Sequence, residues 1–217
     1  REFGMVQFSD MLEGYRRFRN QDWSEQRTRW AELRDGQNPR VMVIACSDSR
    51  VDPTQIFDTS PGEIFVVRNV AALVPPFETN PGRHGVSAAV EFAVQFLGVE
   101  EILVMGHGMC GGCNAALTRA MHDAAPGEGG FIANWISLLD DARAEVVAVH
   151  GTDHGGAAGR AMELAAVKVS LANLRTFPWI ASKEASGALA LKGAFFAISD
   201  GLLHVLDETS GQFAPVE

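Results

Sequence analysis

The 217-residue chain has only three cysteines. So small and odd a number in a chain this long builds no disulfide framework. A basic excess is also missing: 18 Lys and Arg against 27 Asp and Glu leave a formal net charge of -9. Nucleic-acid binding and adsorption to an acidic membrane both need a basic face, so neither partner is expected. No apolar run reaches the roughly 18 residues of a membrane span. The first residues carry no charged n-region followed by an apolar h-region, so secretion is not indicated and a cytoplasmic location is expected. Arg1-Glu2-Phe3-Gly4 before Met5 reads as a cloning remnant. No Gly-Lys-Ser/Thr follows a glycine-rich run, which excludes a P-loop. A Cys-x5-Arg phosphatase loop from Cys46 would need arginine at position 52, which is Asp52. Repeats, low-complexity tracts and linkers are absent too.

What remains is long enough to bury a core, and 47% hydrophobic with 21% charged residues is ordinary for a globular chain. Residues 5–217 read as one domain, an N-terminal helical arm over 5–35 followed by an α/β core over 36–217. In the arm, Phe8, Met11, Leu12, Tyr15 and Phe18 recur at three- and four-residue steps, and Asp22 or Ser24 is placed to cap a second helix. Six arginines between Arg16 and Arg34 form either a solvated face opposite the apolar stripe or part of an arm seated on another subunit. The core reads as a central, mostly parallel sheet of four strands plus a C-terminal antiparallel strand, flanked by helices. Its strands are Val41–Ala45, Glu63–Arg68, Ile102–Met105, Ala188–Ile198 and Leu202–Leu206, the last two a hairpin across Ser199-Asp200-Gly201. Single helices are expected over 85–97, 110–121, 131–149 and 157–175.

Two of the apolar runs end in chemistry. Val41–Ala45 delivers Cys46-Ser47-Asp48-Ser49-Arg50, and Ile102–Met105 delivers Gly106-His107-Gly108-Met109-Cys110-Gly111-Gly112. If these strands are parallel neighbours, both clusters emerge at the carboxyl edge of one sheet, where open α/β sheets place ligands. His107 and Cys110, three apart at a strand-to-helix turn, can face one atom, and Cys46 can join them. Two thiolates and one imidazole suit Zn²⁺, and three protein ligands leave an open fourth position. An open zinc acidifies its water from about 15.7 to roughly 7 and so provides a zinc-bound hydroxide at neutral pH. Arg50 can hold Asp48 ionised and oriented to accept that hydroxide's proton, or Asp48 can swing in as a fourth ligand. Gly111 and Gly112 open a helix with backbone N–H groups free for a small oxyanion. Cys113 reads as a packed thiol rather than a redox partner of Cys110, and His150-x-x-x-His154 as loop histidines rather than a second metal site.

At these residues the chain resembles the β-class carbonic anhydrases. The match lies in Cys46-Ser47-Asp48-Ser49-Arg50, Arg68-Asn69-Val70-Ala71 and Gly106-His107-x-x-Cys110-Gly111-Gly112, and it extends from about Trp23 to Val216. The resemblance implies reversible hydration of CO2 to bicarbonate and a proton, with zinc on Cys46, His107 and Cys110 and the Asp48–Arg50 dyad orienting the fourth ligand. It further implies Gln37 as a catalytic residue directed at substrate, as in plant-like members, beside Gly111, Phe65, Val70 and Phe92 as substrate contacts. Position 92 is often Tyr in that pattern; Phe92 leaves an apolar contact without a phenolic hydrogen bond. Gly108 replaces a commoner hydroxyl residue. Val43 stands where bicarbonate-regulated members carry Trp, so that switch is not expected. The family's arms embrace a second subunit, which implies a homodimer, or a homotetramer built from it, with Gln37 and Phe65 serving the partner's zinc. COS or CS2 hydrolysis on the same scaffold, and a non-catalytic zinc-containing bicarbonate-binding subunit, are the alternatives.

Overall fold

A computed structural model describes residues 6–216 and parts into two compact units at the Gln37–Asn38 junction. The Arg1–Gly4 segment read as a cloning remnant lies outside the described residues. The first unit holds α1 (Phe8–Asn20), α2 (Asp22–Glu25) and α3 (Arg27–Leu33). Gln7 starts α1 through a capping box in which its own N–H donates to Asp10 Oδ2 at 2.8 Å. Asp22 is the first residue of α2 rather than its cap, and no side chain caps that helix. Phe18 meets the edge of Trp30 with ring centroids 6.0 Å apart. Phe8, Met11 and Tyr15 stay more than half exposed on the unit's surface.

The second unit is built on a sheet of order β2-β1-β3-β4-β5-β6. In chain order its elements are β1 (Val41–Cys46), α4 (Pro53–Ile56), β2 (Ile64–Asn69), α5 (Gly85–Glu91), β3 (Glu101–His107), α6 (Gly111–Thr118), α7 (Gly130–Ile136), α8 (Asp140–His150), α9 (Ala157–Leu174), α10 (Pro178–Ala185), β4 (Ala190–Ala197), β5 (Leu202–Asp207) and β6 (Gln212–Pro215). The first four strands in the sheet order are parallel and the last two antiparallel. Four parallel strands and the antiparallel hairpin strand stand as expected, but the count of five is corrected to six. Gln212–Pro215 is short and has no apolar alternation, so its pairing along β5 left no pattern; its terminal Pro suits an edge.

The helices also differ from expectation. The 131–149 helix breaks at a 3₁₀ turn, Ser137–Leu139, into α7 and α8. Helix α6 stops at Thr118, where Arg119 turns left-handed at φ 56°. The 157–175 helix ends where expected, and Pro178 opens a further helix, α10, because Pro at the first helical position lacks only an N–H that would go unpaired anyway. The 85–97 helix is α-helical to Glu91, and its second half, Phe92–Leu97, widens into a π-helix.

Helix α9 buries Ala158, Met162, Ala166, Val167, Leu171 and Leu174. It lies close on β3 because Gly106 has no side chain: a Cβ there would sit 2.7 Å from Val167 Cγ2. That contact seats the middle of α9 against β3 near its carboxyl end, with β4 alongside. Among the described residues, no helix is long and apolar enough to cross a membrane.

Candidate metal centre

Strands β1 and β3 are parallel neighbours in register, with Ala45 opposite Met105, so Cys46 and His107 emerge at the same sheet edge. Cys110 follows as the N-cap residue of α6. All three are buried, and their ligand atoms lie within 4.8 Å of one another, the two sulfurs 4.0 Å apart. His107 Nδ1 is 2.9 Å from Gly108 O; that carbonyl can only accept, so Nδ1 carries the proton and Nε2 the lone pair. Nε2 is buried without a hydrogen-bond partner. Such an orphan is costly unless a group off the chain completes it. The Cys110 thiol alongside, and then burial, push Cys46 up to about 12. A bound cation reverses that balance by stabilising thiolates. Donor softness, an unpaired imidazole and three converging ligands all fit Zn²⁺ with one position left open.

Asp48 and Arg50 form a fork. Arg50 Nε donates to Asp48 Oδ1 at 2.9 Å and Nη2 to Oδ2 at 2.6 Å, while the Arg50 backbone N–H also reaches Oδ1 at 3.0 Å. These bonds hold the Asp48 carboxyl well below the usual carboxylate range, although burial opposes them. Its Oδ2 lies 3.9 Å from His107 Nε2, which turns the charge toward the three ligand atoms. Arg50 Nη2 additionally donates to Met109 O at 3.1 Å.

Arg68 ties the same loop down from β2. Its Nε donates to Cys46 O at 2.9 Å, Nη2 to Asp48 O at 2.6 Å and Nη1 to Asp52 Oδ2 at 3.0 Å. Sequence reading gave Arg68 no role of its own. A lone guanidinium ending the apolar run Ile64–Val67 was the available signal.

The remaining expected residues divide. Gly111 opens α6 beside Cys110 with open space at its Cα. Val70 follows Asn69, the register partner of Cys46, and packs where Gly112 leaves room. Phe65 is instead the partner of Met42, four positions before Cys46, or about 13 Å of strand at ~3.3 Å per residue. Phe92 joins Phe65 at 6.0 Å and stacks on Phe96 at 5.9 Å, so these rings make a patch apart from this chain's own ligand triangle. Gln37 belongs to the first unit. Cys113 is buried in the core, all three thiols are free, and Cys46, His107 and Cys110 form the only potential metal group among the described residues.

Gly112 yields the first prediction. A Cβ there would meet Val70 Cγ1 at 2.7 Å and Ala71 Cβ at 3.0 Å, and Ala71 is itself held left-handed at φ 63°. Gly112→Ala is expected to destabilise by about 1–3 kcal/mol through overpacking. Thermal melts read the loss; an unchanged melting temperature would show that Val70 can simply step aside.

A family model described as "Carbonic anhydrase" matches residues 41–203. Beta carbonic anhydrase 5, chloroplastic, of Arabidopsis thaliana is 37% identical over 193 residues, covering 89% of this chain and 62% of that protein. This chain thus spans less than two thirds of the Arabidopsis protein's length. A carbonic anhydrase of Pseudomonas aeruginosa is 37% identical over 206 residues, covering 94% and 90%. The solved β-carbonic anhydrase CcaA superposes with a TM-score of 0.87 at 30% identity, covering 96% of this chain and 92% of the other.

Proposed function

The chain belongs to the β-class carbonic anhydrases, zinc enzymes that interconvert CO2 and bicarbonate, and we propose that Cys46, His107 and Cys110 carry its metal and Asp48 with Arg50 directs its chemistry. One observation carries the reading: an unpaired, buried His107 Nε2 facing two thiols, with the ionised Asp48 Oδ2 3.9 Å away. Zinc held there supplies a strong nucleophile near neutral pH by lowering the pKa of water to roughly 7.

The chain's residues then have separable tasks. Asp48, kept an acceptor-only group by Arg50, would accept a hydrogen bond from the nucleophile that zinc would supply and so orient it toward CO2. The first-turn N–H groups of α6, Gly111 first, have no intrahelical partner and are available to negative charge that develops on the CO2 oxygens. Val70 supplies an apolar wall that favours CO2 over water. Nothing at the site favours COS or CS2 hydrolysis or a silent bicarbonate-binding role. Stopped-flow hydration of CO2 by the zinc-loaded chain tests the reading, and zinc-loaded protein without turnover would overturn it.

The site is completed by a second copy, in which Gln37, Phe65 and Phe92 serve the partner's zinc. The supporting observations are the placement of Phe65 about 13 Å along the sheet from its own Cys46, and the exposure of Phe96 (75%) and Phe8 (72%). Sedimentation equilibrium is expected to return at least twice the 23.4 kDa chain mass. A fully active monomer would refute the shared site; a fourfold mass would mean a homotetramer. Three free cysteines suit a reducing compartment, in keeping with the cytoplasm.

A further inference from the structure

The peptide unit that joins Met109 to Cys110 is held at both ends by side-chain hydrogen bonds. Its carbonyl accepts from Arg50 Nη2 at 3.1 Å, and its N–H donates to Glu163 Oε1 at 3.1 Å. A donor at the oxygen and an acceptor at the N–H both align with the peptide dipole, so the two contacts reinforce each other. The turn they hold is a strained one, because Met109 is left-handed at φ 54°, a conformation that sterics disfavour for a side-chain-bearing residue.

Glu163 is an unusual resident of its helix. It sits on the buried stripe of α9 between Met162 and Ala166, with its side chain 5% exposed. Burial pushes its carboxyl above the usual range. A buried acid there is a cost that a purely packing position would avoid with an apolar side chain. Its surroundings answer that cost in part: the Cys110 N–H is bonded to it, and His154 Nε2 stands 3.7 Å from the same oxygen. His154 and Glu163 also line a cavity of about 220 Å³ together with Gly108 and Met109.

We propose that Glu163 is the positioning residue for the metal ligand Cys110, acting from the core side of the Met109–Cys110 peptide as Arg50 acts from the site side. Fixing that peptide plane fixes Cys110 N and Cα and so narrows where φ and χ1 can place Sγ. Arg50 thereby belongs to two structures, the Asp48 fork and the ligand loop, and Glu163 makes the loop stiff enough for that coupling to matter. The inference rests on zinc being held by Cys46, His107 and Cys110.

The test compares Glu163→Ala, Glu163→Asp and Glu163→Gln with the wild type, all folded by circular dichroism. It measures zinc release to a chelator and the thiolate-to-cobalt charge-transfer band of the Co²⁺-substituted proteins. Glutamine keeps an acceptor oxygen at the same reach, so its release rate is expected within about threefold of wild type. Alanine, and aspartate with its shorter reach, are expected to release zinc roughly 10–100-fold faster and to shift the cobalt band. An Asp variant that folds, holds zinc like the wild type and keeps the band would overturn the proposal even if the Ala variant fails to fold. A Gln variant as weak as alanine would overturn it too, since charge rather than the hydrogen bond would then be at work. A wild-type chain that binds no zinc would instead refute the metal reading.

Discussion

Cys46→Ala is expected to leave a folded protein that neither retains zinc nor hydrates CO2 above background. Cys46 ends β1, and one of its two near neighbours in the triangle is the Cys110 sulfur 4.0 Å away. Removing it leaves His107 and Cys110, and two ligands do not hold zinc against dilution, since the catalytic arrangement already stands at the minimum of three. Loss of the ion returns water to its ordinary acidity, nearly nine units higher, so kcat/KM should fall by roughly 10³-fold or more. The packing cost is small: one sulfur lost from a buried site is worth about 1 kcal/mol. Metal analysis after dialysis against a chelator, beside stopped-flow hydration, reads both effects. A metal-free variant that still turns over would remove the three residues from the reaction.

Asp48→Asn separates orientation from metal binding. The amide matches the carboxylate in shape but carries no charge and turns an N–H₂ toward the ligand atoms, so zinc should stay while kcat/KM falls about 10²-fold. Wild-type turnover by the zinc-loaded variant would show that Asp48 only fills space. The pH dependence has a definite sign. Arg50 lowers the folded-state pKa of Asp48 below its unfolded value, so the pairing stabilises the fold above the ordinary carboxylate range near 3.9 and is lost only as pH falls through the depressed value. Asp48 therefore stays ionised from about pH 5 upward, and an acid limb of activity near neutrality belongs to another group. Because Arg50 is nearly half exposed, screening keeps the stability contribution of this pair small. Its value lies in direction.

Much of this site was legible before any coordinates. Buried parallel strands need apolar side chains on both faces, so Val41–Ala45 and Ile102–Met105 announced themselves, and the polar residues after each run had to lie at strand tips. The spacing of His107 and Cys110 then reads directly as convergence at a turn. Arg68 and Glu163 were harder because each acts through a backbone atom of a residue remote in sequence, Cys46 O across β2 and Cys110 N across α9. A backbone acceptor or donor leaves no mark on residue type. Glu163 could still have been noticed as the lone acid on the apolar stripe of a long helix. Strand β6 and helix α10 escaped for the opposite reason, since pairing with β5 and the placement of Pro178 decided them rather than periodicity.

By itself the sequence determined which chemistry-bearing residues follow each apolar run and the kind of chemistry that two thiols, an imidazole and an Asp–Arg pair could support, because both depend on residue chemistry and short spacing. Only the tertiary structure decided that Cys46 and His107 share one edge, since adjacency of β1 and β3 is a long-range pairing that neither strand encodes alone. It likewise decided that Phe65 and Phe92 stand apart from this chain's own ligands, and that one peptide bond is clamped between Arg50 and Glu163. Those facts come from register and helix approach, which depend on how whole faces pack and not on any local run of residues.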